Sequence, residues 1–212
     1  MPIWLIAIPI LIFSVVVHEV SHGYTAYRRG DRTAFMAGRL TLNPLVHLDP
    51  VGSILIPFFG AITGAPVIGW AKPVPVNPYN LREPRKDHFY VALAGPASNL
   101  LLCLVFVVIY TILGIVLGTN QYFSTIGVLF RIGVQINLFL AMFNLLPVPP
   151  LDGSWVFGHL FPRTIGTLVD RIRPYGTLVL ILLLFTGVLR LIFIPASYIY
   201  SILFSVAHGI IG

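Results

Sequence analysis

Charge and cysteine are both scarce in this 212-residue chain: 9% of its residues are charged, and there is one cysteine, Cys103. An ordinary soluble domain carries about 25% charged residues, so a fully solvated globular surface is excluded. The lone cysteine excludes an internal disulfide and any cysteine-based metal cluster, which leaves oxygen and nitrogen to hold a metal. Acidic residues are few, seven Asp and Glu against 13 Lys and Arg. In a soluble protein that surplus would suggest nucleic acid. Here 57% of the residues are hydrophobic and mean hydropathy is +0.92, so the basic residues report loop orientation at a lipid bilayer, and no nucleic-acid partner is expected.

Apolar runs recur along the whole chain at or near the roughly 20 residues needed to cross a bilayer. They imply one integral membrane domain over 1–212, with a catalytic core at about 10–160 and C-terminal helices at about 175–211. The first run, IWLIAIPILIFSVVV, lacks a preceding basic segment and leads into HEVSH rather than a small-residue cleavage site, so it is not read as a removable signal. Eleven of the 13 basic residues fall in three connectors: Arg28, Arg29, Arg32 and Arg39; Lys72, Arg82, Arg85 and Lys86; Arg163, Arg171 and Arg173. The positive-inside rule puts these connectors in the cytoplasm, with the N-terminus outside. For the first two to share a side, residues 51–69, broken by Pro57, Gly60, Gly64 and Pro66, must enter and leave by one face. The expectation is an all-α polytopic fold of five to six transmembrane helices with the C-terminus inside. A short strand-like and re-entrant element follows the first helix, the strand drawn from the alternation in AGRLTLNPLVHLD, where a packed loop is the alternative.

HEVSH places His18 and His22 four residues apart, on one face of a helix, with Glu19 beside them. Two neutral imidazoles and a carboxylate suit a single zinc ion, with a fourth position left to water. Glu19 would take that water's proton and pass it to a leaving amine. An ionisable group in a membrane helix costs about 2.5 to 3.5 kcal/mol on insertion scales, which makes such residues functional candidates. Five of the seven acidic residues sit in connectors or at membrane ends, leaving Glu19 and Asp152. Asp152 follows Pro147, Pro149 and Pro150, which must break a helix near the cytoplasmic side, where the first helix also ends. His18, His22 and Asp152 then complete a three-ligand site.

Three motifs, HEVSH at 18–22, AGPASN at 94–99 and NLLPVPPLDG at 144–153, resemble the site-2 protease family of intramembrane zinc metalloproteases, in its compact prokaryotic branch without a PDZ domain. The resemblance implies His18, His22 and Asp152 as zinc ligands and Glu19 as general acid/base. It also implies a role for Asn144 in orienting substrate or stabilising the oxyanion. His47 is a candidate for contact with substrate or the metal surroundings, and Asn99 for substrate contact or an interhelical hydrogen bond. The implied reaction is hydrolysis of a peptide bond within or next to a substrate's transmembrane segment, in a prokaryotic inner membrane, with the active site toward the cytoplasm. Transmembrane proteins and the lipid bilayer are the expected partners, and a homo-oligomer or a regulatory membrane partner stays open. The competing readings are a metal-ion transporter, a proton-coupled carrier using Glu19 and Asp152, a di-iron oxygenase, and a catalytically silent pseudoprotease.

Overall fold

The computed structural model describes residues 4–49, 71–187 and 190–212, together with residues 52 and 55. In chain order the α-helices are α1 (Trp4–Arg28), α2 (Thr33–Met36), α3 (Pro84–Leu117), α4 (Gln121–Asn144), α5 (Asp152–Leu160), α6 (Thr167–Ile172), α7 (Gly176–Thr186) and α8 (Arg190–Ile211). Among the described residues four helices are long and apolar enough to cross a membrane: α1 from Ile6, α3, α4, and α8 from Phe193. Their packing inverts the soluble pattern. On α3, Gly95, Asn99, Cys103, Tyr110 and Gly114 face inward, whereas Leu101, Leu104, Val108, Ile112 and Ile115 point outward. Lipid tails are as apolar as leucine, so such helices associate through close packing at small residues and through polar bonds rather than by hiding aliphatic surface.

Helix α3 is the axis of the fold, packed against α1, α4, α5 and α8. It runs antiparallel to α1. The Arg29 guanidinium at the end of α1 donates to the buried Asp87 carboxylate in the first turn of α3 at 2.8 Å, and the Arg82 N–H donates to the Arg29 carbonyl. The first two basic connectors therefore lie at one end of the bundle, as their shared charge requires. The re-entrant segment expected between them, 51–69, falls outside the described residues apart from residues 52 and 55.

Two expectations are corrected. The crossing expected to begin near Tyr175, the fourth of five, is not a span among the described residues: α7 has 11 residues and ends at Gly187, whose φ of 72° only glycine adopts freely. Eleven residues are about half of what a span needs. Helix α8 then runs alongside α3 in the same direction, so that Ile211 meets Gly114. The C-terminus thus lies at the end of the bundle where α1 begins, not opposite it. The strand-like element after the first helix is not a strand either. Residues 39–43 are irregular and lead into a 3-10 turn, Pro44–His47, capped by Asn43, whose side chain accepts from the Leu45 N–H. The segment facing them, AKPVPVN at 71–77, carries Pro73 and Pro75, which have no N–H to give a ladder.

The connector is held instead by Asp31, which is fully buried. Its carboxylate accepts from the Thr33 N–H and hydroxyl, from the Asn77 N–H at 2.6 Å and from the Asn80 carboxamide at 3.1 Å. Burial works to raise its pKa, but these donors outweigh it and hold the carboxyl below its usual value. A group depressed in the folded state adds stability above its unfolded pKa, and that stability is lost as pH falls through the folded value. Asp31→Asn is expected to lower stability at pH 7 by about 1–3 kcal/mol and to weaken the loss of stability below pH 4. Thermal unfolding in detergent, with a chelator present throughout, measures both effects; equal acid sensitivity in the two proteins would contradict this account.

Candidate metal centre and active site

Helix α1 carries His18, Glu19 and His22 on its last turns, and the pairing with α3 brings both rings against the backbone of Gly95. Asp152 arrives from the other direction as the first residue of α5. Helix α4 stops at Asn144, and the proline-rich turn 145–151 returns the chain, as the sequence led one to expect. Gly153 makes that return tight enough. A Cβ there would collide with the carbonyl groups of Leu145 and Leu146, so glycine lets the start of α5 press against the end of α4.

His18, His22 and Asp152 converge so that one ligand atom of each lies within 4.8 Å of the others. The ring nitrogens His18 Nε2 and His22 Nε2 are 3.0 Å apart, and the Asp152 oxygens approach them at 3.1 and 3.4 Å. Backbone carbonyls, which can only accept, fix the protons. Asn137 donates its amide to the Gly133 carbonyl, so its oxygen faces Asn99 and accepts from the Asn99 amide at 2.9 Å. Asn99 must then present its own oxygen to His18, whose Nδ1–H donates at 2.6 Å. His22 Nδ1–H likewise donates to the Val91 carbonyl at 2.6 Å. When the rings are neutral, both Nε2 atoms are left as lone pairs, aimed at each other and at the carboxylate. Asp152 Oδ2 is buried without a hydrogen-bond partner.

Such a set repels itself unless a cation stands between its members. A tetrahedral ion with bonds of about 2.0–2.1 Å separates its ligand atoms by about 3.3 Å, close to the spacings seen, and nitrogen with carboxylate oxygen is a zinc-type donor set. The residues fit the ion. Glu19, half-buried on the adjacent face of α1, accepts the Val74 N–H at 2.9 Å. A cavity of about 600 Å³, lined in part by His88, Phe89, Ser154 and Trp155, opens beside the first turn of α5.

Of the remaining candidates, Asn99 touches this cluster through His18, whereas the contacts of His47 and Asn144 lie elsewhere. Asn99 is fully buried, and its interhelical reading holds while its substrate-contact reading does not: both ends of its amide are committed, to His18 on one side and to Asn137 and the Ser14 carbonyl on the other. His47 is 1% exposed and donates from Nε2 to the Thr41 carbonyl, which braces the connector, while its Nδ1 is buried without a hydrogen-bond partner. Asn144 turns its amide back to the Leu140 carbonyl of its own helix. Sequence reasoning missed the Val74 N–H and the approach of both rings to Gly95. A backbone donor leaves no residue-type signal, and the glycine's role depends on which helix lies opposite.

The model of the family described as "Peptidase family M50" matches residues 6–128 and 112–187 of this chain. Over 178 residues the chain is 41% identical to "Putative zinc metalloprotease YwhC" of Bacillus subtilis, covering 83% of this chain and 78% of that protein. Two proteins of the same description named Rip2 are also similar: that of Mycolicibacterium smegmatis is 32% identical over 193 residues, with 88% of this chain and 69% of that protein covered. The one from Mycobacterium tuberculosis H37Rv is 30% identical over 201 residues, with 92% and 72% covered. No solved structure matches the chain. The fold and its polar centre are those of an integral membrane protein. The chain belongs to peptidase family M50, the site-2 protease family.

Gly95 makes the sharpest local test. A Cβ at this position would lie 2.6 Å from His18 Nε2 and closer still to His22 Nε2, filling the space between the rings. Gly95→Ala is expected to abolish stoichiometric zinc binding by the purified, folded protein, as His18→Ala and Asp152→Ala should. Asn99→Ala, which frees the His18 ring to turn, should weaken zinc affinity by about 10- to 100-fold in competition with a chromogenic chelator. Zinc bound by Gly95→Ala as tightly as by the wild type would show that the rings do not bind an ion from this arrangement.

Proposed function

We propose that this protein is an intramembrane zinc endopeptidase that hydrolyses peptide bonds within or next to the transmembrane segments of membrane-protein substrates. One observation carries the reading: His18, His22 and Asp152 turn three potential ligand groups on one point, with both Nδ1–H groups directed away, next to a glutamate one residue from a ligand. A structural polar cluster would pair donors with acceptors; with neutral rings, this one pairs acceptors with acceptors.

His18, His22 and Asp152 would hold the ion. Zinc, when bound, supplies a Lewis acid that polarises the scissile carbonyl and makes water a nucleophile at neutral pH. The other tasks fall to the chain. Glu19 takes a proton from the attacking water and returns it to the departing amine nitrogen. Asn99 and the Val91 carbonyl keep both imidazoles in the tautomer that presents Nε2. A helical substrate hides its carbonyls in hydrogen bonds, so it must unwind locally before one reaches the site. The oxyanion role of Asn144 would require it to release the Leu140 carbonyl.

In the same reading the basic connectors face the cytoplasm, so the N-terminus is outside and the active site lies toward the cytoplasmic side of a prokaryotic inner membrane. Substrates are transmembrane proteins, and cleavage is of the regulated intramembrane kind.

Glu19→Gln separates this reading from a metal carrier and from a pseudoprotease. The variant is expected to keep one zinc per chain and to cut a quenched transmembrane peptide at least about 100-fold more slowly than the wild type. Chelation should abolish cleavage by the wild type, and added zinc should restore it. Equal cleavage by Glu19→Gln and wild type would sink the proposal, as would zinc flux into vesicles without cleavage.

A further inference from the structure

The segment AKPVPVN at 71–77 crosses the last turns of α1 beside Glu19 without belonging to any regular element. Its backbone is held at both ends and in the middle. The Lys72 N–H donates to the His47 carbonyl at 2.9 Å, the Asn77 N–H to Asp31, and the Val74 N–H to Glu19 Oε2. From the other side the Arg39 guanidinium donates to the carbonyls of Lys72 and Pro73 at 3.2 and 3.3 Å. Arg39 is 6% exposed, an unusual burial for an arginine, and its guanidinium grips main-chain oxygens. The Val74 side chain is buried over Gly23, one turn beyond Glu19, where a Cβ would lie 2.7 Å from Val74 Cγ1. Glycine at 23 is what lets the segment come down onto the helix.

Between Lys72 and Val76 the only backbone N–H is that of Val74, because Pro73 and Pro75 have none. The segment thus aims a single donor at Glu19, and that donor takes one of the two carboxylate oxygens. Rotation of the carboxylate would break this bond, so Oε1 is left as the proton acceptor in a fixed direction.

We propose that Arg39 and the 72–76 segment form a positioning device for Glu19: Arg39 fixes the backbone, and the Val74 N–H pins Oε2 so that Oε1 faces the attacking water. This rests on the proposed protease reading. The Val74 N–H and Arg39 are positioning groups; neither touches substrate. Holding a reacting group in line is worth large factors in rate, and misplacement by about 1 Å can cost about 100-fold.

The test compares Val74→Pro, which deletes the N–H, with Val74→Ala, which loses the same buried side chain but keeps the donor. Full-length protein in detergent is assayed with a quenched transmembrane peptide, alongside zinc content and backbone hydrogen exchange. Val74→Pro is expected to show kcat at least about tenfold below that of Val74→Ala, with KM within about twofold and zinc retained. Arg39→Gln, which shortens the grip on the carbonyls, should lower kcat in the same manner. Without reference to activity, the Val74 amide should exchange slowly in the wild type and rapidly in Glu19→Ala, while the Lys72 and Asn77 amides stay protected in both. Equal kcat in the two Val74 variants, or an unprotected Val74 amide in the wild type, overturns the inference and leaves the protease reading intact. If Val74→Pro does not fold, unchanged kcat in Arg39→Gln overturns it. A wild type that cuts nothing while the Val74 amide is protected removes the protease reading, and the inference with it.

Discussion

Two imidazole nitrogens and a carboxylate face one another at one point, and the rest of the molecule is arranged to keep them there with both Nδ1–H groups turned away. Each ring has given its Nδ1 proton to an acceptor that cannot give one back: the Val91 carbonyl for His22, the Asn99 oxygen for His18. In water such a cluster would scatter or pick up protons. In a weakly polar interior it is tolerable only when a cation neutralises it, because uncompensated charge and unpaired acceptors are costly there. A metal centre is therefore the least strained account of why the chain keeps these groups together.

The polar chain that enforces this also joins helices. Ser14 on α1, Asn99 on α3 and Asn137 on α4 are all fully buried and bonded to one another, so the contact that fixes the tautomer of His18 is part of the contact that holds three helices together. Hydrogen bonds of this kind between membrane helices average only about 0.6 kcal/mol each. Their value here is geometric: they leave one arrangement of donors and acceptors, ending at a backbone carbonyl that cannot be reversed. Glycine supplies the other half of the geometry. Gly95 lets α3 approach the rings, and Gly153 lets the first turn of α5 reach them.

On the connector side, the same economy of donors governs the polar groups. Asp31 gathers four donors from two stretches of chain, Asp87 takes Arg29 and caps the start of α3 through the Glu83 N–H, and Arg39 takes two carbonyls. A pair of connectors with only short helical turns is thereby made definite, and one of them is set down beside Glu19.

The sequence by itself determined the class of the molecule and the identity of its chemical groups. Few charges, repeated apolar runs and basic residues gathered in three connectors required a polytopic helical bundle, and the four-residue spacing of His18 and His22 required that their rings share a helix face. Asp152 stood out because the other carboxylate outside the connectors and membrane ends was Glu19. What the sequence could not supply was anything that depends on which element lies opposite which. The apolar run after Tyr175 is hydrophobic enough to suggest a span, yet where it stops was set by Gly187, and the alternation over 39–43 suggested a strand for which the proline-bearing neighbour had no ladder to offer. Asn99 could have met substrate or a helix, and only the approach of α1 and α4 assigned it to His18. The Val74 N–H carries no side-chain signature at all, so its hold on Glu19 exists only once two segments 55 residues apart are folded together, because spacing along a helix is local whereas a hydrogen bond between segments is a property of their packing.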